Sequence, residues 1–329
     1  MSEIKLGVFV PQGWRMDLAD VPDPVEKFET MTRCAKEAET AGFDSIWVYD
    51  HFHTVPIPRH ETVFECWTSM SALARDTRTI RLGQMVTCNS YRPPSLLAKM
   101  ASCVDVMSHG RLILGIGAGW YQHEYEAYGY EYPETPDRLR MLREALQVIR
   151  AMWTEDEAGF DGRFYHVRGA INEPKPVQKP HPPIWIGGGG EKVTLKLVAQ
   201  YGDACNVGGD VETIRHKLDV LREHCATVGR DYDSVLKTME LYTILGDKKE
   251  VDRVVSDTAR RTGVDEDFIR TWHPWSGDAG KVAETIRMFA GAGIEYFIVN
   301  VPNAFEGGVI SRFADEVFPR LGVGAKATR

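Results

Sequence analysis

No two of the six cysteines stand in a CxxC arrangement; Cys34, Cys66, Cys88, Cys103, Cys205 and Cys225 are scattered, mostly among apolar neighbours. That spacing excludes a dithiol redox motif and suits buried free thiols in a reducing compartment better than a disulfide framework. The sequence also lacks any run approaching the ~20 apolar residues of a membrane span. Its first residues, "MSEIKLGVFVPQG", carry neither a basic n-region nor a long apolar h-region and read at once as a strand. Positive charge is in short supply: 39 Lys and Arg against 47 Asp and Glu leave a net charge of −8, which argues against a basic nucleic-acid-binding face. The expectation is a cytoplasmic protein with small-molecule partners, engaging neither nucleic acid nor membrane.

What is present is a long alternation of strand-like and helical runs. With 329 residues and 43% hydrophobic content the chain can bury a large core, as two domains or as one large α/β barrel. Eight strand-like segments follow in order: "IKLGVFV", "DSIWVYD", "TIRLGQMVT", "RLILGIGAGW", "PPIWIGGGG", "DACNVGG", "VLKTMELYTILGD" and "IEYFIVNVP". Between them lie helical patterns: Pro24 to Gly42, "ETVFECWTSMSALARDT", a helix opened by "YRPPS", Thr135 to Thr154, "EKVTLKLVAQYG", "DVETIRHKLDVLREHCATVG", "KKEVDRVVSDTARRTG" and "AGKVAETIRMFAGAGIE". This pattern predicts a (β/α)8 TIM barrel spanning residues 1–329 as one domain, with chemistry at the C-terminal ends of the strands. Two segments fall outside the repeat. About 155–179 reads as a hairpin and loop, and about 263–278, with Trp272, His273 and Trp275, as a lid or interface segment. The tail beyond Gly322 reads as frayed.

At the end of the second strand stand Asp50 and His51. Side chains alternate on a strand, so the two are not expected to face each other, and one should face the barrel mouth. A ring nitrogen there can hold or move a proton near neutral pH; a capping Asp and a surface His are the plain alternative. His51-x-His53 could hold a metal only with further ligands at other strand ends. Those ends read "GAGW", "GGGG" and "GGD", so no metal is expected. In the third strand Gly83 marks a bulge or the close approach of a ligand, and Thr87, Cys88, Asn89 and Ser90 follow as a polar series. Gly115, Gly117 and Gly119 thin the end of the fourth strand. Four glycines precede a helix in "IGGGGEKVTLKL", an address that suits a phosphate, although flexible turns explain glycines equally well. Trp120, directly after its glycines, could wall a flat ring, whereas Trp47, Trp67 and Trp153 read as core.

"GFDSIWVYDHF", "IRLGQMVTCNSYRPPSLLAKMASCVDVMSHGRLILGIGAGW" and "PPIWIGGGGEKVTLKLVAQYGDACN" together resemble the bacterial luciferase-like family, and within it the coenzyme F420-dependent oxidoreductases. The resemblance covers nearly the whole chain and implies a TIM barrel with insertions. It implies that Asp50 touches the deazaflavin and that His51 stabilises or transfers a proton as hydride moves between substrate and C5. It further implies a strand-three bulge with a non-prolyl cis peptide between Met85 and Val86 behind the ring, with Thr87 and Asn89 near the cofactor. Gly117, Ala118, Gly119 and Trp120 would border the ring or its ribityl chain; Gly188, Gly189, Gly190 and Glu191 would meet the phosphate and tail. In the similar F420-dependent glucose-6-phosphate dehydrogenases a Glu follows the glycines of strand four and a Trp lies five positions after the strand-two Asp. Here those places hold Trp120 and Val55, so that acid is missing, with His123 and Glu124 near enough to replace it. Trp14, His53, Trp120, His123 and the segment around Trp272 are expected to line a pocket for a hydrophobic or ring-bearing substrate. Family members that use FMN as monooxygenases, and non-catalytic flavin-binding relatives, are the alternatives. The resemblance also implies a homodimer through the second and third helices.

Overall fold

The computed structural model describes residues 3–324; residues 325–329 of the tail read as frayed lie outside it. Strand β1 (Lys5–Phe9) leads to helix α1 (Pro24–Thr40), then β2 (Ser45–Val48) to α2 (Cys66–Asp76). The third barrel position is split into β3 (Arg81–Gln84) and β4 (Thr87–Cys88), followed by α3 (Pro94–Met107). After β5 (Leu112–Gly117) come the short α4 (Gln122–Ala127), the long α5 (Thr135–Thr154) and an antiparallel hairpin of β6 (Ala158–Asp161) and β7 (His166–Ala170). The chain continues through β8 (Ile184–Gly187), α6 (Thr194–Tyr201), β9 (Ala204–Asn206), α7 (Val211–Val228) and β10 (Leu236–Tyr242). It then runs through α8 (Lys248–Thr262), α9 (Glu266–Trp272), α10 (Ala279–Ala290), β11 (Tyr296–Asn300) and α11 (Val309–Leu321). Parallel pairing runs β1–β2–β3–β5–β8–β9–β10–β11, and β11 returns to β1, so eight barrel positions close on themselves as the alternation predicts. Among the described residues no helix is long and apolar enough to cross a membrane, and all six cysteines are free.

Several boundaries move inward from the sequence pattern, each for a local reason. Helix α2 begins at Cys66, not at Glu61, because the Glu65 carboxylate caps the amides of Trp67 and Thr68, while Phe64 N–H bonds the Gln12 carbonyl at 3.1 Å. Helix α6 begins at Thr194, so a turn separates the glycine run from the helix it was expected to open directly. The 263–278 segment is not simple loop: Asp265 caps α9, which ends at Trp272.

The glycines of the barrel answer to packing. Trp47 is wholly buried inside the barrel with Trp185 and Tyr296. A Cβ on Gly7 would lie 2.5 Å from its Nε1 and one on Gly83 2.4 Å from its Cζ3. Gly83 therefore makes room for an indole rather than for a ligand. The Met85–Val86 peptide is cis, as the family resemblance implies, and it sits at the break between β3 and β4. The Val86 side chain occupies the space that Cβ atoms on Gly117 and Gly187 would need, at 2.7 and 2.8 Å, and a Cβ on Gly115 would meet the Gln84 carbonyl oxygen at 1.7 Å. The glycines of β5 and β8 are thus matched to the break in their neighbour. Gly83→Ala should cost about 1–3 kcal/mol by overpacking, and less in a Trp47→Phe background that removes the six-membered half of the indole. Urea denaturation of the single and double variants measures the difference; equal costs in both backgrounds would show that the indole is not the obstacle.

Candidate active site

A cleft of about 420 Å³ opens at the C-terminal mouth of the barrel, within the range of small-molecule sites. Trp14, Asp50, His51, Val86, Gly117, Ala118, Gly119, Trp120 and Gly188 all line it. The backbone at the end of β2 is fixed from the β1 loop: Gln12 Oε1 accepts from Tyr49 N–H at 2.7 Å and Gln12 Nε2 donates to the Tyr49 carbonyl at 2.9 Å. His51 follows, with its ring stacked on Trp14 at a centroid distance of 4.3 Å and an interplanar angle of 1°.

Behind His51 lies Glu124, on α4 and fully buried. Its Oε2 stands 2.7 Å from His51 Nδ1 and accepts from Tyr91 Oη at 2.7 Å; its Oε1 accepts from the amides of Phe52 at 2.6 Å and His53 at 2.8 Å. A carboxylate only accepts, so Nδ1 carries the proton and Nε2 is the ring's free nitrogen. Burial pushes the Glu124 pKa up, but the hydrogen bond and charge of His51, together with the His53 amide and Tyr91, outweigh it and hold the carboxyl below its ordinary value. Sequence reading had left Glu124 and His123 as equal candidates for the acid absent from position 120. The structure separates them: Glu124 orients His51, whereas His123 is exposed and its Nε2 lies 2.9 Å from His53 Nδ1. Neither His53 nor His123, expected in the substrate wall, lines this cleft.

Asp50 faces a different partner. Arg92, which sequence reading passed over, grips it in a fork, Nη1 to Oδ2 at 2.7 Å and Nη2 to Oδ1 at 2.9 Å, and also reaches Glu65 at 2.7 Å. The Cys88 amide donates to Oδ2 at 2.9 Å, and Asp50 is 1% exposed although it borders the cleft. The two neighbours therefore do separate work, one neutralised by Arg92 and one set by Glu124. Thr87 and Asn89 are fully buried behind the lining; Asn89 Nδ2 donates to Tyr165 Oη at 3.2 Å, while Thr87 Oγ1 and Asn89 Oδ1 have no partner.

At the other end of the cleft Gly188 has φ +111°, open to glycine alone at little cost, and Thr194 of α6 borders the space. No side chain caps α6; the Leu195 amide bonds the Gly190 carbonyl at 3.0 Å, and the first-turn amides not bonded in this way suit an anion. Lys217, also unforeseen, stands over Gly189, with Nζ 2.7 Å from where a Cβ would be, and donates to the Gly208 carbonyl at 2.8 Å. Gly189, Gly190 and Glu191 lie beside the cleft but do not line it; the Glu191 carboxylate pairs with His216 at 3.1 Å. A flat wall at Val86, a stacked His51 and Trp14, and a glycine turn leading to an uncapped helix suit a planar ring carrying a phosphate. A second chamber of about 430 Å³ adjoins the first, lined by Arg15, Glu240, Tyr242, Trp272 and Trp275 among others.

The model of the luciferase-like monooxygenase family matches residues 4–295 of the chain. An F420-dependent glucose-6-phosphate dehydrogenase of Amycolatopsis mediterranei (strain U-32) is 28% identical over 316 residues, covering 87% of this chain and 92% of that protein. A phthiodiolone/phenolphthiodiolone dimycocerosates ketoreductase of Mycobacterium sp. (strain JLS) is 30% identical over 287 residues, 79% of this chain and 74% of that one. Among solved structures, an F420-dependent secondary alcohol dehydrogenase holding an F420–acetone adduct superposes with a TM-score of 0.79 at 23% identity, over 97% of this chain and 99% of that chain, which speaks to the fold alone.

Glu124→Gln should lower stability at neutral pH by about 1–3 kcal/mol, because an amide nitrogen cannot accept the hydrogen bonds that the carboxylate collects. Since the folded carboxyl lies below its ordinary value of 4.5, its stabilising contribution is complete above that pH and is lost as pH falls through the folded value. Urea midpoints between neutral and strongly acidic pH should therefore fall less steeply for the variant; identical slopes would remove Glu124 as the source.

Proposed function

The chain belongs to the luciferase-like monooxygenase family, and on that premise we propose that it is an F420-dependent oxidoreductase acting on a neutral, hydrophobic or ring-bearing alcohol or carbonyl compound. The observation that carries this reading is His51, stacked on Trp14 and held at Nδ1 by a buried carboxylate, so that Nε2 is the nitrogen left for chemistry in a cleft walled by Val86. A bound deazaflavin supplies hydride chemistry at its C5. Trp14 keeps the His51 ring in one plane, and Glu124 fixes its tautomer. His51 Nε2 then holds or moves the proton at the redox-active ring. Val86, Gly117, Ala118 and Gly188 offer a surface close enough to the backbone for a flat ring to seat on. The uncapped start of α6 and Lys217 would hold the phosphate. Asp50, paired with Arg92, keeps the floor of the cleft neutral while anchoring the Cys88 amide.

For the substrate, the likeness to the ketoreductase supports an alcohol or carbonyl group. The acid that the sugar-phosphate enzymes carry after the strand-four glycines is replaced by Trp120, 60% exposed at the rim and stacked on Tyr121, which supports an apolar ring instead. A homodimer through α2 and α3 belongs to the same proposal, supported by Leu96 and Val106 standing exposed on α3 and tested by sedimentation of the purified chain.

Titrating the apo-protein with F420 and separately with FMN, read by quenching of the eight tryptophans, should give saturable micromolar binding of F420 and much weaker binding of FMN. The reverse preference would move the protein to a flavin monooxygenase reading. His51→Ala should lose roughly 10²–10⁴ in turnover while cofactor affinity changes far less; normal turnover would reduce His51 to a loop residue. Gly189→Asp, bringing a carboxylate beside Lys217, should weaken F420 binding by roughly 10- to 100-fold, the worth of a hydrogen bond to a charged group, and unchanged affinity would place the phosphate elsewhere.

A further inference from the structure

The carboxylate missing after the β5 glycines has a counterpart three positions round the barrel. On β10, Thr238, Glu240 and Tyr242 share the face that points into the barrel, level with Tyr296, Ile298 and Asn300 of β11. Glu240 stands at the junction of the two chambers: Asn206, Glu240 and Tyr242 line both, whereas His51 lines only the first. Tyr242 Oη donates to Glu240 Oε2 and stands 3.2 Å from Arg15 Nη2 and 3.5 Å from Tyr49 Oη. Among the described residues Glu240 Oε1 has no hydrogen-bond partner, and Glu240 lines both chambers. Arg15 has no carboxylate within ion-pair distance among the described residues. It lies instead over the rings of Trp14, Tyr242 and Trp272 at 4.7–4.8 Å, so its charge is balanced by Glu240 only through Tyr242. Burial raises the Glu240 pKa, and the opposing pull of Tyr242 and Arg15 does not cancel it. The titratable groups facing Glu240 are Arg15 and Tyr49 from the β1 and β2 ends, Tyr242 from its own strand, and His51 across the cleft. A carboxyl perturbed by burial beside a specific charge partner in a cleft is a candidate functional group.

We infer that Glu240 is a second catalytic proton carrier, serving the oxygen of a neutral carbonyl or alcohol substrate whose body lies in the aromatic second chamber, while His51 serves the cofactor ring. The inference rests on the oxidoreductase reading. In the reducing direction a bound reduced deazaflavin would supply a hydride for the new C–H bond at the carbonyl carbon, with the carbonyl π pair moving onto oxygen. That oxygen forms its O–H bond as the O–H bond of Glu240 breaks. The substrate is reduced by two electrons and the deazaflavin oxidised by two; His51 takes up the proton the ring gives up, and the Glu240 carboxylate, held by Tyr242 beside Arg15, regains a proton from water in the second chamber.

The first test is an infrared pH titration of the apo-protein, which needs no cofactor. A protonated-carboxyl band should persist above the ordinary Glu range, vanish in Glu240→Gln and move to higher pH in Tyr242→Phe and Arg15→Met, since both groups favour the ionised form. A band absent from the wild type, or unmoved by all three variants, overturns the assignment. The second is turnover of reduced F420 with acetophenone and cyclohexanone. Glu240→Gln should lose about 10²-fold or more in kcat, with F420 affinity by tryptophan quenching within about twofold of wild type. Retained turnover in the variant, or wild-type inertness toward both ketones despite F420 binding, overturns the inference. Failure of the wild type to bind F420 would instead defeat the cofactor reading, and the infrared band would still decide the carboxyl.

Discussion

Glu124, fully buried, accepts four hydrogen bonds, from the His51 ring, the Phe52 and His53 amides and the Tyr91 hydroxyl. Each donor comes from a segment that must be in position for the others to form. The β2 end is turned so that two successive amides and one side chain converge, the loop before α3 delivers Tyr91, and α4 is docked by the carboxylate it carries. Around this point Tyr91, Tyr125, Phe52 and Tyr132 pack ring against ring, which excludes water and strengthens the bonds they surround. The orientation of the His51 ring at the cleft is therefore a by-product of how α4 is attached.

A second constraint is steric. The break between β3 and β4 pushes Val86 across the barrel mouth, and it can do so only because the neighbouring strands present Gly117 and Gly187 beneath it. Those glycines give clearance to a valine, and the valine faces the cleft that Gly117 and Gly187 also line. The floor is built the same way, with Gly7 and Gly83 yielding space to Trp47.

Two arginines divide the charge of the site. Arg92 closes on Asp50 as a two-bonded fork, a well-paired ion pair that holds the loop before α3 against the β2 end. Arg15 is left stacked on aromatic rings, with a tyrosine hydroxyl between it and Glu240. One carboxylate is thereby committed to structure, and the other keeps an oxygen open to the chambers.

The order of strands and helices, the barrel, the ends of α5 at Thr135 and Thr154 and the address of His51 were all legible in the chain, because hydrophobic periodicity and turn residues act over a few neighbours. The resemblance of whole segments added the cis Met85–Val86 bond. Local pattern could not say which acid of His123 and Glu124 turns inward, since both sit on one short helix and only its docking against Tyr91 and the β2 end buries the second. Nor could it find Arg92, Lys217 or Arg15, whose neighbours at the site lie tens to hundreds of residues away, or Glu240, whose Tyr242 is two residues along its own strand but is met by Arg15 from the β1 loop. His53 and Glu191 show the converse: sequence neighbours of the site that the turn of the chain carries outside it. Periodicity records which face of an element is buried, and the closing of the barrel decides which buried groups meet.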